Sequence, residues 1–126
     1  LQQNLFISAP TLSQIAATAA LDERDYAEEQ KTGYAVNRRL LDDGLRGLGF
    51  DIGNPSDGAF YAYAGISRFS NDSMRFCETL LDEAGVAATP GTDFDRTDGG
   101  LYIRFSYAGR RDIMEMALDR MAAFLR

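Results

Sequence analysis

Histidine is absent from this 126-residue chain, and cysteine and lysine occur once each. Without imidazole, Ser-His-Asp triads and histidine metal sites are excluded. The single thiol, Cys77, permits neither an internal disulfide nor a thiolate zinc site within one chain. Set among apolar helical positions, it reads as a small core residue, in keeping with a reducing, cytoplasmic setting. The one lysine, Lys31, lies in the polar stretch Glu28-Glu29-Gln30-Lys31-Thr32. An amine nucleophile needs burial or a cationic neighbour, so Lys31 reads instead as an exposed helix residue paired with Glu28. No apolar run approaches the roughly 20 residues of a spanning helix. Positive charge is also scarce: 13 basic against 19 acidic residues leave a net charge of -6, which repels phosphate backbones and anionic lipid. Neither nucleic acid nor a membrane is an expected partner.

What is present fits a globular protein of about one domain, with 45% hydrophobic and 25% charged residues. Leu1-Gln2-Gln3-Asn4-Leu5 offers no initiator Met and no basic signal-peptide region. It reads as the continuation of an earlier element, so a segment of a longer protein is expected.

From Pro10-Thr11-Leu12-Ser13 to about Leu21, Leu12, Ile15, Ala16 and Ala19 recur at helical spacing, with Ser8 or Thr11 as the expected cap. A longer, charged helix over 24–48 follows, striped by Tyr34, Leu41, Leu45 and Leu48 and stopped by Gly49. Strands are expected near 50–52, 59–66, 86–89 and 101–107. Turn chemistry fills Gly53-Asn54-Pro55-Ser56-Asp57-Gly58, and 92–100 reads as a loop. Helices over 71–84 and 110–125 carry the stripes Met74, Cys77, Leu80, Leu81, Ala84 and Ile113, Ala117, Met121; Ser70 or Asn71 caps the first and Gly85 ends it. The order describes an α+β fold, a small, mostly antiparallel sheet with helices packed on one face.

Little here looks reactive. Gly44-Leu45-Arg46-Gly47-Leu48-Gly49 follows a helix rather than a strand, so it is no phosphate loop. Asp42-Asp43 and Asp22-Glu23-Arg24-Asp25 lack the spacing of a calcium loop and read as solvated helix faces. The informative charge is Arg104, in Leu101-Tyr102-Ile103-Arg104-Phe105-Ser106-Tyr107-Ala108. Strand alternation sends Leu101, Ile103, Phe105 and Tyr107 to one face and Tyr102, Arg104 and Ser106 to the other. A planar fork of donors on the back of a half-buried sheet fits a carboxylate.

With those residues in view, the chain resembles the C-terminal part of the class I/II, fold-type-I aminotransferases dependent on pyridoxal 5'-phosphate. The segments that carry the resemblance come in the family's order. They are Asn4-Leu5-Phe6-Ile7-Ser8-Ala9-Pro10-Thr11-Leu12-Ser13-Gln14, Arg38-Arg39-Leu40-Leu41 through Gly49-Phe50, Pro55 with Gly58-Ala59-Phe60-Tyr61-Ala62-Tyr63, Gly85-Val86 followed by Pro90-Gly91 with Phe94, and Tyr102 to Ala108. The chain departs from the pattern after Phe94, where Asp95-Arg96-Thr97-Asp98-Gly99-Gly100 intervenes before the arginine strand.

The resemblance implies a trailing segment of a large domain over 1–22 and an aminotransferase small domain over 23–126. It implies that Arg104 binds the substrate α-carboxylate, with Tyr102 and Ser106 as second-layer candidates. Ser8 becomes a candidate for a phosphate contact across a dimer, with a plain helix cap as its alternative. The parent is expected to be a cytoplasmic homodimer that moves an amino group between an amino acid and a 2-oxo acid. The Schiff-base lysine of the family falls outside the matching segments, so the 126-residue chain alone is expected to be inactive, with no bound cofactor. The other reading is a stand-alone binding or interaction module in which Arg104 makes a structural ion pair with Asp93 or Asp95.

Overall fold

The computed structural model of the chain describes residues 8–53 and 58–126, and the backbone divides into two compact units, Leu1–Thr32 and Gly33–Arg126. Most of the turn expected at 53–58, Pro55 included, and the stretch before Ser8 lie outside the described residues.

The first unit holds α1 (Thr11–Asp22) and the opening turns of α2 (Arg24–Leu48). No residue of α1 is buried. Its N-cap is Pro10, without a side-chain cap bond, which corrects the expected Ser8 or Thr11 cap. Gln14 closes the first turn instead: its Nε2 donates to Ala9 O at 2.6 Å and its backbone N–H to Pro10 O at 3.1 Å. Lys31 Nζ lies 2.9 Å from Glu28 Oε2 on the exposed surface.

The second unit is built on a sheet of three strands, β1 (Tyr61–Gly65), β2 (Thr89–Pro90) and β3 (Tyr102–Ser106), in the order β1-β3-β2 with both pairings antiparallel. Alternation places Ala62, Ala64, Ile103 and Phe105 on the buried face. They pack with Leu41 and Leu45 of α2, with Phe76 and Leu80 of α3 (Ser73–Ala84) and with Met114 and Met121 of α4 (Arg111–Phe124). Phe50 centres an aromatic group, 4.9 Å from Phe69 and 5.9 Å edge-on from Phe105, in geometries that ring quadrupoles favour. The fold is therefore α+β, with helices on one face of a small antiparallel sheet. Asn37 of α2 ties the helix to the sheet's end, its Nδ2 donating to Tyr107 O at 3.2 Å and Gly109 O at 2.9 Å.

Several local expectations shift. The strand near 50–52 is a single bridge between Asp51 and Gly65, because its neighbours Phe50 and Ile52 are committed to the core. The strand near 86–89 is confined to Thr89–Pro90, where it meets Arg104 and Ile103 of β3; Pro90, lacking an N–H, is tolerated on that edge. Asp72, not Ser70 or Asn71, caps α3, its carboxylate accepting from Arg75 N at 3.0 Å. The helical stripes are also rotated. Phe76 rather than Met74 or Leu81 faces the core in α3, and Met114 rather than Ile113 in α4.

Candidate functional site

Arg104 stands at the middle of the central strand, opposite Tyr63 of β1 and Thr89 of β2. It belongs to the sheet face turned away from the helices: Ile103 and Phe105 are buried, Tyr102 and Arg104 half-buried, Ser106 exposed. The register makes Tyr61 the partner of Ser106, one diagonal step from Arg104, a separation that long side chains span. The guanidinium carbon accordingly lies over the Tyr61 ring, 4.1 Å from its centroid. The same diagonal brings Tyr63 onto Tyr102, the rings stacked at 4.9 Å and 9°.

A second ring reaches the guanidinium from the chain after β2. Phe94 lies under it at 4.1 Å from ring centroid to carbon. Two single turns of 3-10 helix, Gly91–Asp93 and Gly99–Leu101, bracket the loop expected over 92–100. They meet backbone to backbone: a Cβ on Gly91 would stand 2.5 Å from Gly99 O and 2.6 Å from Tyr102 O. Only glycine allows that approach. The turn is closed by Phe94 N–H and Asp95 N–H, both donating to Gly91 O at 2.9 Å.

No carboxylate holds Arg104 among the described residues. Ion pairs of these residues include Lys31–Glu28, Arg46–Asp43, Arg110–Asp112 and Arg111–Glu115, none of which involves Arg104. Asp95 spends its Oδ1 on Thr97 N–H, at 2.8 Å. Tyr102 and Ser106 share the face of Arg104, but Tyr102 stacks on Tyr63, and Ser106 Oγ accepts from Ala108 N–H at 3.2 Å. Ser8 is exposed and belongs to the first unit. Tyr61 lies on the side of β1 opposite the buried Ala62 and Ala64, but only the strand register sets it beside Arg104. Phe94 gave no signal in the sequence, since its place depends on how Gly91 and Gly99 close the loop.

Burial shifts other titratable groups of the second unit. Asp42 corrects the reading of a solvated helix face: it is 5% exposed, and its Oδ1 has no hydrogen-bond partner among the described residues. Burial raises its carboxyl above the usual range, against the pull of Arg46 and Arg38. Burial, then the charge of Asp93, pushes the Cys77 thiol up to about 11, leaving it un-ionised and unreactive at neutral pH. The Tyr63 phenol is raised too, by burial first and the Asp95 carboxylate second. Among the described residues there is no metal-binding group of acidic, Cys or His side chains and no helix long and apolar enough to cross a membrane. A cavity of 210 Å³ between α4 and the 85–87 segment is lined in part by Ser106 and not by Arg104.

Known proteins are similar to this chain in sequence and fold. Valine–pyruvate aminotransferase of Mycobacterium tuberculosis is 48% identical over 124 residues, which cover 97% of this chain and 32% of that protein. The (5-formylfuran-3-yl)methyl phosphate transaminase of Methanocaldococcus jannaschii is 39% identical, with 99% and 33% covered. A crystal structure of an aminotransferase from M. tuberculosis superposes with a TM-score of 0.89 at 47% identity, covering 97% of this chain and 32% of that one. N-succinyldiaminopimelate aminotransferase of M. tuberculosis superposes at 0.84 with 29% identity, over 98% and 33%. The chain thus spans about a third of the length of the relatives it matches. The family model described as aminotransferase class I and II matches residues 1–121, and the chain belongs to that family.

Proposed function

We propose that this chain is the C-terminal, substrate-carboxylate-binding part of a pyridoxal-phosphate-dependent aminotransferase, a cytoplasmic homodimer that transfers an amino group between an amino acid and a 2-oxo acid. In this reading residues 1–22 trail a large domain and 23–126 form the small domain. One observation carries it: a guanidinium on the central strand of the sheet, packed by two rings and held by no carboxylate among the described residues. Two parallel N–H···O bonds from Arg104 fix both oxygens of an α-carboxylate, and that fixes the direction of the substrate's Cα–H bond. Tyr102 and Ser106, on the same face, back the site through the Tyr63 stack and the strand end. Ser8 serves as a phosphate contact toward a neighbouring subunit.

The residues present do not suffice to hold the cofactor. When bound, pyridoxal phosphate supplies the electron sink for amino-group chemistry and is anchored through a lysine amine. Lys31, the only lysine, is exposed and ion-paired with Glu28, the opposite of the setting such an amine needs. This chain's share of the work is binding and orientation.

The test is Arg104→Ala in the complete polypeptide that carries these residues. Losing a bidentate, charge-assisted pair costs about 2–5 kcal/mol, so kcat/KM for amino acids falls by about 30-fold or more. Amines without a carboxylate react as before. Equal loss on both substrate types, or no loss, refutes the assignment.

A further inference from the structure

We infer that Phe94, together with Tyr61, is a positioning residue for Arg104: the rings grip the guanidinium by its faces and leave only its N–H edge for a carboxylate. The inference rests on the carboxylate-binding reading above and adds to it residues that touch no substrate. Both ring centroids lie 4.1 Å from the guanidinium carbon. Tyr61 packs on Phe60 at 4.2 Å, and among the described ring pairs Tyr61 and Phe94 do not contact each other, so they meet the guanidinium from different sides.

A guanidinium is flat, with its five donors radiating in the plane, and each face is drawn to the negative face of an aromatic ring. With both faces occupied, a ligand approaches in the plane, where its two oxygens meet parallel N–H groups. Rotamer freedom that the long side chain would lose on binding is already lost. Lysine at 104 has no plane to hold and no fork to present.

Core packing does not place Phe94, which is 54% exposed. Its backbone does: Phe94 N–H bonds Gly91 O, and Gly91 is wedged against Gly99 and Tyr102. An exposed phenylalanine fixed by its own loop over a cation is explained by what it does to that cation.

The test uses the full chain labelled with 15N and the Arg104 Nε–Hε NMR signal, identified by its loss in Arg104→Lys. Ring currents from Tyr61 and Phe94 are expected to shift that signal upfield, and sodium propionate, as the carboxylate probe, to perturb it. Phe94→Leu should move the signal toward that of free arginine and weaken propionate binding at Arg104 about tenfold, the equivalent of ~1.4 kcal/mol, while Phe94→Tyr preserves both. Tyr61→Leu should act like Phe94→Leu, and it serves if the first variant fails to fold. An unshifted wild-type signal, or Phe94→Leu binding propionate as well as wild type, overturns the positioning role alone. A ring-shifted signal that ignores propionate in the wild-type chain overturns the carboxylate reading and the inference with it.

Discussion

Replacing Gly91 with alanine drives a methyl group into the backbone that presents Phe94. The new Cβ would stand 2.5 Å from Gly99 O, 2.6 Å from Tyr102 O and 2.6 Å from the Tyr63 hydroxyl. The hydroxyl can swing aside, but the two carbonyls belong to the second 3-10 turn and to the first residue of β3. Relief therefore requires the loop to separate from the sheet. Overpacking of this kind costs about 1–3 kcal/mol, and for a domain of roughly 60–100 residues each kcal/mol moves Tm by about 4–8 °C, so the melt should fall by ~4–24 °C. Circular dichroism on Gly91→Ala reads the effect. Gly99→Ala meets the same contact from the other side, at 2.5 Å from Gly91 C, so the double variant should cost less than the sum of the singles. Gly47→Ala is the control: nothing lies within 4 Å of its Cβ, and inside α2 it should stabilise by about 0.5–1 kcal/mol. A Gly91→Ala melt within 1 °C of wild type would refute the wedge that places Phe94.

Asp42→Asn should raise stability at neutral pH, because burial holds the native carboxyl above its value of 3.8. The native state then binds the proton more tightly than the unfolded chain, so stability falls as pH rises through that window and the gain from asparagine disappears below 3.8. Thermal melts across pH check it, and a neutral-pH loss on substitution contradicts it. Cys77, with its thiol pushed up to about 11, should react with a thiol reagent far more slowly in the native chain than in denaturant; equal rates would mean the helix face is open.

The fold was legible where one physical signal dominated. Strand alternation placed Ile103 and Phe105 inside and Arg104 outside, and the Leu41–Leu45 stripe identified the buried side of α2. Helical stripes alone misjudged rotation in α3 and α4, since Met74 and Leu81 are as apolar as Phe76, and only the aromatic group around Phe50 selects between them. Asp42 read as a surface charge because sequence spacing does not reveal that α2 is covered on that side as well. At the candidate site, the shared face of Tyr102, Arg104 and Ser106 followed from β-sheet periodicity, while the approach of Tyr61 depends on the pairing register. The place of Phe94 does not follow from periodicity, because its contact arises from the non-local closure of Gly91 on Gly99, eight positions apart in a stretch that reads only as a polar loop.

The most direct measurement is a crystal structure of the complete polypeptide with an unreactive amino-acid analogue bound. The expected result is both carboxylate oxygens within about 2.7–2.9 Å of the Arg104 guanidinium nitrogens, in its plane, with Tyr61 and Phe94 still against its faces. An analogue carboxylate held by other groups, with Arg104 bonded to an aspartate or glutamate of the protein, would contradict the assignment.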